Sequence, residues 1–279
     1  MNQLKKNNQI NKVLASLSLV FLLLFTSCDE VVNLDLETAE TKIVIDAEIL
    51  WKKGTDGSQQ VIKISKTASY YDPTTPKVSG AKVRIENSNG DIFTFNETEA
   101  GQYVCTNFVP VANMEYKLFV DIEGESFTAV EKLITAVPID KTTQELVPEP
   151  DGNFSVEVKI HFTDPAEEVN YYMADFNVDF YRSPQYTLSD DEFSNGNEKT
   201  LSFSDEKLQA GKTVNIVYRG VSKNFFDYMN LILEASNSFP ISIPPGNIRG
   251  NIINTTNPDK FAFGYFRLCE ADTVSYLVK

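Results

Sequence analysis

Cys28 is the residue of this chain whose chemistry its neighbours specify most sharply. Lys5, Lys6 and Lys12 precede an apolar run of 13 residues, Val13 to Phe25, and Thr26 and Ser27 lead into the cysteine. A basic start, an apolar stretch and small residues before a cut make an export signal, here residues 1–27. A thiol at the first mature position makes a nucleophile available for acylation, with a plain cleaved signal as the alternative. The run falls short of the roughly 20 residues that a membrane-spanning helix needs. Elsewhere the chemistry thins out. His161 is the only histidine, so any Ser-His-Asp or Cys-His mechanism would have to use it as base. Period-2 alternation sets it beside Lys159, opposite Ile160 and Phe162, and it reads as a solvent-facing strand residue. The chain has no Gly-x-Ser-x-Gly elbow, and a single histidine excludes a His-Glu-x-x-His zinc site.

Paired carboxylates are the remaining enzymatic motif. Asp175 and Asp179 share a strand face about 13 Å apart, whereas glycosidase pairs sit about 5–9.5 Å apart. Asp190-Asp191-Glu192 falls in a polar stretch, Ser189 to Lys199, and reads as a solvated turn. A calcium site or a glycan- or peptide-active enzyme using these acids is the competing reading, although the segment lacks the EF-hand order. No catalytic residue, metal ligand set or cofactor is expected. Trp51, Tyr70, Tyr71, Tyr171 and Tyr172 could stack on sugar rings or anchor a protein partner, against a bland reading as core and rim packing. Neighbours on a strand face opposite sides, so one tyrosine of each pair is expected to point outward.

The elements that must carry these residues are strands. Ile43, Ile45, Ala47 and Ile49 fall on one face; Val61 to Ile64, Ala81/Val83/Ile85, Phe93/Phe95, Tyr103/Cys105 and Tyr116/Leu118/Val120/Ile122 continue the alternation. Asn89-Gly90-Asp91 and Glu123-Gly124-Glu125 read as hairpin turns. This pattern predicts a mostly β chain, with an immunoglobulin-like β-sandwich over 41–136. Residues 137–152, with three prolines, read as a linker. A second β-rich domain follows over 153–279. Its strands include Phe154 to Phe162, Phe176 to Phe180, Val214 to Tyr218, Ile248 to Ile253 and Phe261 to Leu268. One amphipathic helix is expected near 222–236, with Ser222 as its N-cap and Phe225, Met229 and Ile232/Leu233 at helical spacing.

Removing residues 1–27 takes three lysines and no acid, which leaves 22 basic against 39 acidic residues and a net charge of −17. Such a surface disfavours nucleic acid and electrostatic docking on anionic lipid. Attachment must then be covalent, through chains that each contribute about 0.8 kcal/mol per buried methylene. The segment 28–40 is an acidic tether that reaches at most about 40 Å, so the folded body works close to the membrane. Cys105 and Cys269 read as separate buried thiols, although an exported protein permits a disulfide.

Several ordered boxes resemble known families. Val78-Ser79-Gly80-Ala81-Lys82-Val83-Arg84-Ile85, Gly101-Gln102-Tyr103 and Tyr116-Lys117-Leu118 resemble a transthyretin-like or carboxypeptidase-regulatory-like module, which implies a scaffold. Asp29 and Glu30, directly after Cys28, resemble the surface-export signal of Bacteroidetes lipoproteins. The order Cys28-Asp29-Glu30, Ile43-Val44-Ile45-Asp46-Ala47, Ile64-Ser65-Lys66-Thr67-Ala68, Thr135-Ala136-Val137-Pro138, Phe162-Thr163-Asp164-Pro165, Gly246-Asn247-Ile248 and Phe261-Ala262-Phe263-Gly264-Tyr265-Phe266 resembles the Bacteroidetes outer-membrane lipoprotein family catalogued as domain of unknown function 4249. That resemblance covers nearly the whole mature chain. It implies an outer-membrane, surface-facing lipoprotein associated with a SusC-like TonB-dependent transporter or another outer-membrane barrel, and it supplies no catalytic residue. The implied role is an accessory or binding subunit; a standalone solute-binding lipoprotein is the third alternative.

Overall fold

The computed structural model describes residues 41–68, 74–150, 152–192, 196–236 and 248–279. Seven strands run through the first half: β1 (Ile43–Lys52), β2 (Gln60–Lys66), β3 (Lys82–Asn87), β4 (Ile92–Glu99), β5 (Gln102–Cys105), β6 (Glu115–Ile122) and β7 (Glu125–Ile134). They follow from sequence because their alternate residues are apolar and end up buried, as in β6, where Tyr116, Leu118, Val120 and Ile122 face the core. The turns also match their residue types. Glu123 and Gly124 both adopt positive φ, 51° and 80°, in the two-residue β6–β7 loop, which suits the right-handed twist of the flanking strands. Between β3 and β4 the Asn87 side chain accepts from the backbone amides of Asn89 and Asp91.

The last strand, β15 (Phe263–Leu277), ties the molecule together. Its first part pairs in parallel with β1 over Phe263 to Ala271, and its end pairs antiparallel with β13 (Thr213–Val221). Gly264 permits the close approach to β1. It sits at φ +100°, and a Cβ there would meet the Ile45 carbonyl oxygen at 2.0 Å.

The first half, expected as a sandwich, forms a barrel-like sheet. The order β15-β1-β2-β5-β4-β3-β6-β7 closes because β7 returns to β15. Two strands turn the corners. In β4, Ile92 to Phe95 pair with β3, and from Asn96 the strand pairs with β5, with an irregularity between Glu97 and Glu99. In β7, residues to Lys132 pair with β6, whereas Leu133 and Ile134 pair with Leu268 and Cys269. Alternation reports which face is buried, not whether edge strands join, so the sequence could not distinguish the two closures. The interior is packed by Ile45, Ile49, Ile62, Ile85, Tyr103, Leu118 and Phe266, all inaccessible.

Beyond β15 the sheet continues through β13 to β10 (Tyr171–Asn177) and β11 (Gln185–Asp190), so its hydrogen bonding runs without a break from the first half into the second. A separate three-stranded sheet of β12 (Glu198–Asp205), β9 (Phe154–Thr163) and β8 (Lys141–Pro148) covers one face. Val158, Ile160 and Phe162 pack there on Ala174, Phe176, Ile216 and Tyr218. The segment 137–152, expected to be a linker, therefore contributes β8. Its prolines do not prevent this, because Pro148 ends the strand and β8 lies at the sheet edge, where a missing donor costs little. The expected strand over Ile248 to Ile253 is reduced to β14 (Ile253–Asn254), which pairs with β7.

Helix α1 (Lys223–Ser236) lies against the other face of the extended sheet. Ser222 caps it by accepting from the Phe225 amide at 3.3 Å, while its hydroxyl donates to Glu131 at 3.0 Å. Phe225 and Met229 are its buried residues, packed with Met173, Val221 and Tyr265. Among the described residues no helix is long and apolar enough to cross a membrane.

Candidate functional site

The aromatic contact candidates separate. Trp51 is half-buried near the far end of β1; its indole N–H donates to the Thr55 carbonyl at 2.9 Å, and its ring covers Gly57. Tyr171 and Tyr172 do face opposite sides, but neither is a free platform. Tyr171 is half-buried with its ring 5.0 Å from Phe226 of α1. Tyr172 is buried between the two sheets, against Phe162 and Tyr218. Its hydroxyl donates to Asp164, and burial with that hydrogen bond pushes its pKa far up. Cys28, Asp29, Glu30, Tyr70 and Tyr71 lie outside the described residues.

The acids and the histidine are also committed to partners. The His161 ring, expected to face solvent, stands on the polar face of β9 within 2.8 Å of the Thr143 hydroxyl and 3.1 Å of the Glu198 carboxylate. Asp179 lies beyond the end of β10 and pairs with Lys212 at 2.8 Å beside an open groove of about 620 Å³ lined also by Asn177 and Asn215. Asp191, expected in a solvated turn, is fully buried. Its Oδ1 accepts from the Asn170 amide at 2.9 Å, and among the described residues its Oδ2 has no partner. Among the described residues no three His, Cys, Asp or Glu side chains gather as metal ligands.

Asp175 belongs to an arrangement that the strand pattern did not reveal. Across neighbouring β10, β13, β15 and β1, the face away from the two cores carries Asp175, Arg219, Arg267 and Glu48. Arg219 is 2% exposed; its guanidinium donates to Asp175 and, at 3.0 Å, to Glu48, which also accepts from Arg267 at 3.2 Å. Burial raises the Glu48 pKa, but Arg267 and Arg219 together outweigh it and hold the carboxyl below its ordinary value. Asp175 shifts upward instead, because burial dominates and Glu48 repels it against the one close guanidinium. Cys269 lies beside Glu48 with its thiol pushed up to about 12 by burial. Such a thiol stays protonated and is a poor nucleophile; among the described residues Cys105 is also buried and unpaired. The only sequence signal was opposite charges on apolar strands, which cannot be matched without the register.

A second unforeseen feature lies at the opposite end of β1 from Trp51. A cavity of about 160 Å³ is lined by Thr41, Lys42, Lys66, Glu123, Glu125, Lys260 and Phe261, among others. Two of its lysines are neutralised, Lys66 by Glu123 at 2.7 Å and Lys260 by Glu125 at 3.2 Å.

The family described as Domain of unknown function (DUF4249) matches residues 29–275. The chain belongs to that family. No curated protein matches this DUF4249 chain. Among solved structures it is similar to a two-domain fibronectin type-III segment of chicken tenascin, at 10% identity and a TM-score of 0.21 over 58% of this chain and 85% of that one. It is also similar to bovine butyrophilin, at 12% identity and a TM-score of 0.23 over 67% and 95%. The DUF4249 chain is thus placed by its sequence family.

Proposed function

We propose that this protein is a non-enzymatic lipoprotein, acylated at Cys28, that serves as an accessory or binding subunit of an outer-membrane barrel such as a SusC-like TonB-dependent transporter. The observation that carries this reading is the signal segment ending at Cys28, with the family match beginning at the very next residue, Asp29. The short acidic tether then keeps the β body beside the membrane, and Asp29 and Glu30 direct it to the cell surface. We read the first half as a transthyretin-like scaffold whose corner strands β4 and β7 join its two faces. A non-enzymatic role is also supported by where the reactive groups stand: His161, Asp175 and Asp179 are each engaged with another side chain of this chain. The test is affinity capture of the acylated protein from its own membranes. Recovery of a TonB-dependent or other barrel protein is expected; capture that yields no barrel protein contradicts the accessory role.

The open groove beside Asp179 and Lys212 favours one second reading, a standalone solute-binding lipoprotein. Calorimetric titration with oligosaccharides and peptides separates the two. Binding by the protein alone that is lost in Asp179→Ala supports the second reading.

A further inference from the structure

The folded body begins at one end of the barrel, and that end differs from the rest of a chain whose net charge is −14. Thr41, where the tether joins, lines the 160 Å³ cavity together with Lys42, Lys66 and Lys260. The carboxylates of Glu123 and Glu125 are there, but each already holds a lysine. Two further cations converge on the Phe261 ring: the Lys42 ammonium at 4.3 Å from its centroid and the Arg249 guanidinium at 4.0 Å. Among the described residues neither has a carboxylate at ion-pair distance. An aromatic face attracts cations but leaves their outward N–H donors available. Two cations over one ring, with no carboxylate partner among the described residues and beside a cavity of about 160 Å³, make a local anion-binding surface on an acidic protein.

We infer that this end of the barrel seats the phosphate of an anionic lipid headgroup at the membrane surface, with Lys42 and Arg249 as its ligands and Phe261 as their platform. The inference rests on the proposed anchor at Cys28. The tether joins the body at Thr41, so the basic end lies where the chain leaves for its anchor. The overall charge argued against lipid docking by the surface as a whole; the exception is confined to the one place where the chain leaves toward the membrane. Each basic group near an anionic surface strengthens association about fivefold, an effect that fades beyond a Debye length of about 8 Å at physiological salt.

The experiment uses the native acylated protein in vesicles of phosphatidylcholine alone or with phosphatidylglycerol, read by hydrogen–deuterium exchange. The expected result is slower exchange at 41–43 and 261–263 only over phosphatidylglycerol. The protection should be weakened several-fold by high salt or by Lys42→Glu with Arg249→Glu, and retained in Arg249→Lys. Equal exchange in both vesicle types overturns the inference. So does equal protection from inorganic phosphate over phosphatidylcholine, which assigns the surface to a soluble anion, or protection independent of lipid, which assigns it to the acidic tether. The intact mass of the same sample reports acylation separately, so loss of the anchor and loss of the headgroup contact are distinguishable.

Discussion

The closed barrel and the extended sheet beyond β15 share a strand but are stabilised in different ways. Inside the barrel the buried groups are overwhelmingly apolar, and each contributes by leaving water, about 1.5–3 kcal/mol for a large aliphatic or aromatic side chain. Where β10, β13, β15 and β1 run side by side, one face instead carries two arginines and two carboxylates, Arg219 buried and the other three half-buried. Among the described residues Asp175 Oδ1 and Arg219 Nε have no partner. Burying charge is costly unless geometry returns the desolvation energy, so these ions are matched to one another more than they are stabilising in sum. The comparison teaches that a hydrophobic core tolerates loss in proportion to volume, whereas an ion cluster fails when one member is removed.

That contrast can be broken at single residues. Arg219→Ala strands Glu48 and Asp175 and should cost about 4 kcal/mol, read as a lowered denaturant midpoint. In the barrel, Leu118→Ala leaves only a cavity and should cost about 3 kcal/mol; a larger loss there than at Arg219 would reverse the distinction. Within the cluster the two carboxylates should behave oppositely. Glu48 has a lowered folded-state pKa, so its contribution is present above the unfolded value and disappears as pH falls through the folded one. Glu48→Gln should therefore cost about 2 kcal/mol at neutral pH and converge with wild type in acid. Asp175 has a raised pKa, so its ionised form opposes folding at neutral pH and relaxes on protonation. Asp175→Asn should be milder at pH 7 than Glu48→Gln, by equilibrium unfolding across pH. Equal costs would show that Arg219 treats its two partners alike.

The same contrast explains what the sequence made legible. Strands β1 to β7 and helix α1 stood out because alternation and capping are local: Tyr116, Leu118 and Val120 at period 2, Ser222 three residues before Phe225. Barrel closure was hidden because it depends on Leu133 and Ile134 reaching β15, more than 130 residues away in sequence. Strand β8 was hidden by its prolines and by a face of Thr142, Gln144 and Leu146 that lacks a clean apolar period. The ion cluster and the Lys42–Phe261–Arg249 arrangement needed register and long-range folding to bring ordinary surface residue types together. Tyr172 was singled out for its aromatic character, yet its place between Phe162 and Tyr218 gives it a packing role that composition alone could not assign.

Everything proposed about location and partnership depends on a covalent bond at one sulfur. Mass spectrometry of the protein isolated from its native membrane tests this most directly. The account predicts a chain that starts at Cys28 and carries the added mass of its acyl groups. A chain that keeps residues 1–27, or one with a free thiol at Cys28, would contradict it.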